Sequence, residues 1–299
     1  MSFSSIEVVR RNMESQQYIA DESIATTIFL ALKLKKPILI EGEPGSGKTE
    51  IAKVLARILD TELIRLQCYE GLDANAALYE WDYPRQMLRI RLEEAAQTSK
   101  EEIEASIFSE KYLLKRPLLK AITYEDLKPA VLLIDEIDRA DEEFEGFLLE
   151  VLSDFQVSIP EIGTIKAKNW PVVCLTSNMT REIGDALKRR CLYLYIEPPS
   201  FEKEYKIIKT KVPEAPDRLA RQICSFMNKV RSLKLVKKPG ISETLDWANV
   251  LLSLNQKELS SNNVENTLGC ILKQKEDFHK IKGESLTTIL AEIEKVTAA

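Results

Sequence analysis

Residues 37–60 read PILIEGEPGSGKTEIAKVLARILD. A short apolar run ends at Ile40, a glycine-rich stretch follows, and apolar residues then recur at helical spacing. Gly42, Gly47, Lys48 and Thr49 match the phosphate-loop pattern G-x-x-x-x-G-K-[ST] in the strand–loop–helix setting that pattern requires. Glycines at 42, 45 and 47 let backbone N–H groups close around phosphate oxygens. The helix that follows adds the positive end of its dipole. Gly42, Glu43, Pro44, Gly45, Ser46, Gly47, Lys48, Thr49 and Glu50 are therefore the candidate nucleotide contacts, with Lys48 on the β- and γ-phosphates and the Thr49 hydroxyl on magnesium.

Working outward, Leu63–Cys68 (LIRLQC) alternates like a strand. Ala130–Ile134 is a continuous apolar run, as expected of a strand buried on both faces, and it leads into Asp135 and Glu136. Carboxylates at the end of a buried strand are costly unless used. Asp135 is the candidate magnesium ligand and Glu136 the candidate base for an attacking water. Asp138 and Arg139 follow, paired with each other or with a neighbouring subunit. Pro171–Leu175 and Leu192–Ile196 are two further strands. Asn178 ends the first of these, where ligands sit in open α/β sheets, and is placed near the γ-phosphate or the lytic water. Arg189 and Arg190 close a short helix before the second. Such cations suit a helix C-terminus; an arginine finger offered to a neighbour's γ-phosphate is the other reading, and there Arg190 is preferred over Arg189.

Strands alternating with helices indicate an α/β sandwich with a parallel sheet. Residues 72–129 form an insertion before the carboxylate strand, with a charged helical stretch from Arg85 to about Lys111. Residues 156–168 read as a hairpin around Pro160–Gly163. Pro198 and Pro199 break the chain, and beyond them the pattern is all-helical. Residues 1–198 are thus assigned to an α/β nucleotide-binding domain and 199–299 to a helical domain. Residues 201–240 carry eleven Lys/Arg against four Asp/Glu, which reads first as a solvated helix face.

The bulk properties bound the function. The chain has 299 residues, 44% of them apolar, enough for one large or two medium domains. A net charge of −5 argues against a general nucleic-acid coat. The longest uncharged stretch, Asn169–Thr180, is too short to span a bilayer. The first residues show no signal-peptide pattern. Five cysteines stand singly, with neither a zinc nor a disulfide spacing, so a reducing cytoplasm is the expected compartment. His279 is the only histidine and reads as a surface residue.

The order GEPGSGKT, LLIDEID, LTSN, LKRRC and then a helical region resembles an AAA+ ATPase. RLQCYEGLDANAALYEWDYPRQMLRIR, LTSNMTREIGDALKRRCLYLYI and PGISETLDWA resemble the MoxR branch, and within it the ATPases found beside molybdenum hydroxylases such as aerobic carbon monoxide dehydrogenase. The resemblance covers about Gln17 to Phe278. It implies a P-loop parallel-sheet fold with an all-helical lid, ATP hydrolysis with Mg2+, and a ring, by likeness a hexamer. It further implies a von Willebrand factor A domain partner, and a protein client that is remodelled or matured, of which a molybdenum hydroxylase is the kind suggested. By the same likeness Gln67 restrains Glu136. Related proteins place a lid arginine on the nucleotide; here Thr244 falls at that position. Two rival readings share these motifs: a nucleic-acid motor of the same fold, and an ATP-gated scaffold with little turnover.

Overall fold

The computed structural model of the chain describes residues 3–96, 103 and 106–297. The chain forms two compact units: Met1–Val9, Glu22–Glu41 and Thr49–Tyr195 in the first, and Arg10–Asp21, Gly42–Lys48 and Ile196–Ala299 in the second. Two helices, α1 (Ile6–Ser15) and α2 (Glu22–Leu34), precede the first strand.

The centre is a five-stranded sheet of β1 (Ile38–Gly42), β2 (Leu63–Gln67), β5 (Val131–Asp135), β8 (Val172–Ser177) and β9 (Leu192–Ile196), in the order β2-β5-β8-β1-β9. β2 pairs β5, β5 pairs β8 and β8 pairs β1, all in parallel. Every residue of β1 and β5 is buried. The edge strands β2 and β9 instead alternate between buried and more exposed positions. That difference follows from place: a central parallel strand is covered on both faces, whereas an edge strand has water on one side. The five strands expected from the sequence are these five. Between β1 and β2 runs α3 (Lys48–Leu59), whose Ile51, Val54 and Leu55 are fully buried.

The insertion is built differently from its sequence pattern. It holds α4 (Ala74–Leu78), β3 (Tyr79–Trp81), α5 (Tyr83–Ala95), β4 (Leu113–Lys115) and α6 (Pro117–Ile122). β3 and β4 form a small antiparallel sheet, with Tyr79 opposite Lys115 and Trp81 opposite Leu113. In the stretch expected to be helical from Arg85 to about Lys111, α5 ends at Ala95, residues 103, 106 and 107 are again helical, and Lys111 lies in a 3-10 turn over Glu110–Tyr112. Part of that expectation, residues 97–102, 104 and 105, lies outside the described residues. α5 starts where it does because the Asp82 carboxylate accepts the Arg85 N–H (3.1 Å) and Pro84 occupies the first turn.

After β5 come α7 (Glu142–Asp154) and the hairpin β6 (Gln156–Ile159) and β7 (Gly163–Lys166), paired antiparallel within the stretch expected to form one. α8 (Asp185–Arg190) precedes β9.

From Ile196 onward the second unit is helical: α9 (Phe201–Lys211), α10 (Asp217–Ser232), α11 (Ile241–Ser253), α12 (Ser261–Ile271), α13 (Lys275–Ile281) and α14 (Glu284–Thr297). Its core gathers Ile223, Phe226, Met227, Trp247 and Leu251, with the Phe226 and Trp247 rings 5.1 Å apart. Trp247 buries its indole completely and donates Nε1–H to Thr267 (2.8 Å), so its one polar atom is satisfied. No helix among the described residues is long and apolar enough to cross a membrane.

Candidate functional site

The glycine loop leaves β1 and enters α3 through Lys48. Gly45 and Gly47 take φ of 76° and 91°, values a side chain would oppose, and so the loop can turn twice within three residues. Lys48 is 6% exposed and its ammonium donates to the carbonyls of Gly42 (2.8 Å) and Glu43 (2.9 Å). The Ser46 hydroxyl is buried and has no hydrogen-bond partner among the described residues. An orphaned donor beside a buried ammonium in a glycine loop fits an anionic ligand. Glu50 is turned to its own helix, where it accepts from Arg57 (2.9 Å) and lies 3.9 Å from Lys53.

The carboxylate end of β5 is a second cluster, in the first unit. Asp135 is 2% exposed. Its Oδ1 accepts the hydroxyls of Thr49 (3.1 Å) and Thr176 (2.6 Å), while Oδ2 accepts Nε (3.0 Å) and an NH2 (2.6 Å) of Arg65. Four donors satisfy a nearly buried carboxylate and fix its direction. The Thr49 hydroxyl and the Asp135 carboxylate are hard oxygen donors side by side, the donor set Mg2+ takes.

Glu136 has left-handed backbone, φ 57° and ψ 51°, uncommon for a residue with a side chain. The conformation is held by its N–H, which donates to the Thr176 hydroxyl at 2.9 Å. Strained backbone of this kind persists only where its surroundings enforce it, and it collects at functional sites. The Glu136 carboxylate accepts, both on Oε2, from the Gln67 amide (3.2 Å) and from Arg139 (3.2 Å). Arg65 also donates to the Gln67 side chain, so one chain of contacts runs Asp135–Arg65–Gln67–Glu136–Arg139.

Arg139 and Asp138 do not pair with each other, which corrects one of the two pairings expected from the sequence. Asp138 is 3% exposed and accepts from the Thr180 N–H (3.0 Å) and hydroxyl (2.6 Å), as well as from the Asn178 N–H. The turn after β5 points its side chain inward toward the end of β8, so Asp138 staples those two loops. Burial acts to raise its pKa, but the Thr180 and Asn178 donors outweigh that and hold it below 3.8. The crowd of carboxylates shows in a neighbour: burial, then Asp135, Asp138 and Glu136, push the Cys68 thiol up to about 12. Such concentrated negative charge suits a cation.

Asn178 is half-buried just past β8. Its backbone serves Asp138, and its side-chain amide makes no hydrogen bond among the described residues. Arg189 and Arg190 are both exposed at the end of α8. Arg190 Nε–H donates to Ser153 at 2.9 Å and its NH1 to the Ala186 carbonyl at 3.2 Å.

Sequence reasoning missed Arg65 and Thr176. Each carried a faint signal, Arg65 as an arginine on an alternating strand two residues before Gln67, and Thr176 within the quoted LTSN. Thr244, the residue in the lid arginine's place, is held inside the helical unit. It is fully buried, donating to Glu204 (2.6 Å) and accepting from Arg231 (2.9 Å). A threonine of that size and polarity completes a buried ion pair, which no local pattern announces.

An uncharacterized protein of Staphylococcus haemolyticus is 26% identical over 251 residues, covering 81% of this chain and 86% of that protein. One of Staphylococcus aureus is 27% identical over 242 residues, covering 79% and 82%. Among solved structures, a mutant of RuvB from Thermotoga maritima is similar in fold, with a TM-score of 0.50 at 18% identity, covering 96% of this chain and 86% of that one. A family model described as AAA domain (dynein-related subfamily) matches residues 37–191. That match spans just over half of the 299 residues, from the first strand of the sheet to the start of the last, and the chain belongs to the AAA domain family, in its dynein-related subfamily.

Proposed function

We propose that this chain is a MoxR-like AAA+ ATPase that hydrolyses ATP to ADP and phosphate and uses the cycle to remodel a protein client or help mature its cofactor. The observation that carries the reading is the Thr49–Asp135 hydrogen bond. Thr49 is the last residue of the G-x-x-x-x-G-K-[ST] motif, and its hydroxyl is bonded to the carboxylate that ends β5. Thr49 and Asp135 would hold Mg2+, and the ion supplies neutralisation of the phosphate charge.

The remaining work belongs to the chain. Loop N–H groups and Lys48 bind the triphosphate. Glu136, its carboxylate steadied by Gln67 and Arg139, takes the proton of the attacking water. Asn178, with its amide uncommitted, orients that water or the γ-phosphate. Arg190, with Arg189 beside it, completes the site of the next subunit in a ring, by family likeness a hexamer. A von Willebrand factor A domain partner and a molybdenum hydroxylase client follow from the resemblance of PGISETLDWA and its companion stretches. A reducing cytoplasm is supported by five free cysteines. Domains of residues 1–198 and 199–299 are the proposed functional division. The nucleic-acid reading is not favoured: of the two lysines in 156–168, Lys168 is paired with Glu125 at 3.0 Å.

Glu136→Gln keeps the shape of the side chain and removes its basicity. Phosphate release should fall by about 10²-fold or more, the usual scale for a lost general base, while ATP still binds. Turnover near that of the unaltered chain would move the water-activating role elsewhere. Turnover already negligible in the unaltered chain, with and without a partner, would favour the scaffold.

A further inference from the structure

The helical unit contains a buried ion pair that nucleotide chemistry by itself does not require. Arg231, on α10, is 9% exposed, and Glu204, on α9, is fully buried. Arg231 grips both oxygens of Glu204, NH1 to Oε2 at 2.8 Å and NH2 to Oε1 at 2.7 Å. The rest of its fork reaches the next turn of the chain: Nε donates to the Pro239 carbonyl at 2.8 Å, and NH2 to the Gly240 carbonyl at 3.3 Å and the Thr244 hydroxyl at 2.9 Å. One guanidinium thus fixes a turn from inside the bundle. The other end of the segment is tied as well, because buried Asp277 accepts the N–H groups of Val236 (2.8 Å) and Lys237 (3.1 Å).

What that turn presses against is the phosphate loop. The first N–H groups of α11, from Ile241 and Ser242, both donate to the carbonyl of Gly45, at 3.0 and 3.2 Å. Helix-start donors have no partner within their own helix, and here the loop supplies one. The approach is close. A Cβ added at Gly240 would stand 2.8 Å from the Pro44 carbonyl oxygen and 2.9 Å from the carbonyl carbon and oxygen of Gly45, all backbone atoms that cannot swing away. Gly240 itself has φ −85°, which any residue adopts, so glycine is needed there for space alone.

We propose that Arg231 is a positioning residue for nucleotide: through the Pro239–Gly240 turn it sets the backbone of the phosphate loop at Gly45, and with it the loop's affinity for phosphate. The inference rests on the reading of residues 42–49 as the nucleotide loop. It gives the helical unit a way to act on the nucleotide without an arginine at position 244. The coupling runs through the Gly45 peptide rather than through a side chain on the γ-phosphate.

Three variants of the full chain test it: Gly240→Ala, Arg231→Lys and Lys48→Ala. Each is titrated with ATP and with ADP by calorimetry in Mg2+ buffer, melted, and followed by hydrogen exchange at residues 45–48. Gly240→Ala should bind both nucleotides about tenfold or more weakly, within the range of an ordinary single-site perturbation, and keep its unfolding transition. Exchange at 45–48 should quicken. Arg231→Lys keeps the charge but cannot span Glu204 and two carbonyls together, so it should weaken binding in the same direction. Unaltered affinity in Gly240→Ala, or a loss that only tracks loss of folded protein, overturns the proposal. If Lys48→Ala binds poorly while Gly240→Ala binds as the unaltered chain does, the positioning role fails and the loop reading stands. Unaltered binding in Lys48→Ala overturns both.

Discussion

Thr244 shows how much the setting of a side chain decides. Its hydroxyl has one proton, donated to Glu204 at 2.6 Å, and it accepts from Arg231 at 2.9 Å. Removing it leaves two buried charged groups each one hydrogen bond short. Losses of that kind cost about 1–3 kcal/mol. Thr244→Ala should therefore lower the free energy of urea unfolding by about that amount, and Thr244→Ser should recover most of it. An alanine variant as stable as the parent would show that water or a neighbour replaces the hydroxyl. From the sequence, Thr244 stands out only as the residue in an arginine's place, and little effect on turnover is expected from its loss. Its partners lie 13 and 40 residues away on other helices, beyond the reach of any local pattern. The phosphate loop is the opposite case. Gly42–Thr49 are contiguous, and their proposed role is read from residue type and spacing alone. The same holds for Asp135 and Glu136, but not for Arg65, which reads as the polar face of an edge strand until the fold sets it on Asp135.

At the scale of elements, strands β5 and β8 are joined beyond their ends by Asp138, and that staple has a pH signature. The carboxyl is held below 3.8. A depressed folded-state pKa gives stability that is full above the unfolded value and is lost as pH falls through the folded one. Stability should therefore decline below about pH 4, the ordinary aspartate range. Asp138→Asn cannot take part in that titration. It should be less stable than the parent at neutral pH, and the gap should narrow as urea midpoints are taken at pH 5, 4 and 3. A gap that stays constant down to pH 3 would mean the proton is not linked to folding at this residue. The strands themselves were readable in proportion to their burial. β5 is apolar throughout because both faces are covered, and β2 and β9 alternate because one face is not. β3 and β4 escaped because each has three residues, YEW and LLK, too few for any period to show. The helical stretch expected through Lys111 holds over α5 and at residues 103, 106 and 107 but not at its end, for a related reason. A charged stretch is compatible with helix but does not mark where one ends, and Tyr112 is drawn from that pattern into the core beside β4.

For the whole molecule, the open question is whether one chain suffices. Arg189 and Arg190 are exposed at the end of α8, and no carboxylate among the described residues pairs with either; Arg190 is held by the Ser153 hydroxyl and a carbonyl of its own helix. A guanidinium kept in solvent by neutral partners costs little to detach and can be given to another chain's phosphate. If that is its use, hydrolysis belongs to the interface, and specific activity should rise with protein concentration and fall on dilution. Arg190→Ala and Lys48→Ala should each be nearly inactive alone, by about 10³-fold for a lost finger. Mixed, they should regain part of the activity, because an intact Lys48 on one subunit can meet an intact Arg190 on the next. The same mixture with Arg189→Ala separates the two arginines: whichever complements Lys48→Ala is the finger. Turnover that is independent of concentration, with no recovery in either mixture, would mean that each chain completes its own site, and the ring would have to be argued from something other than catalysis.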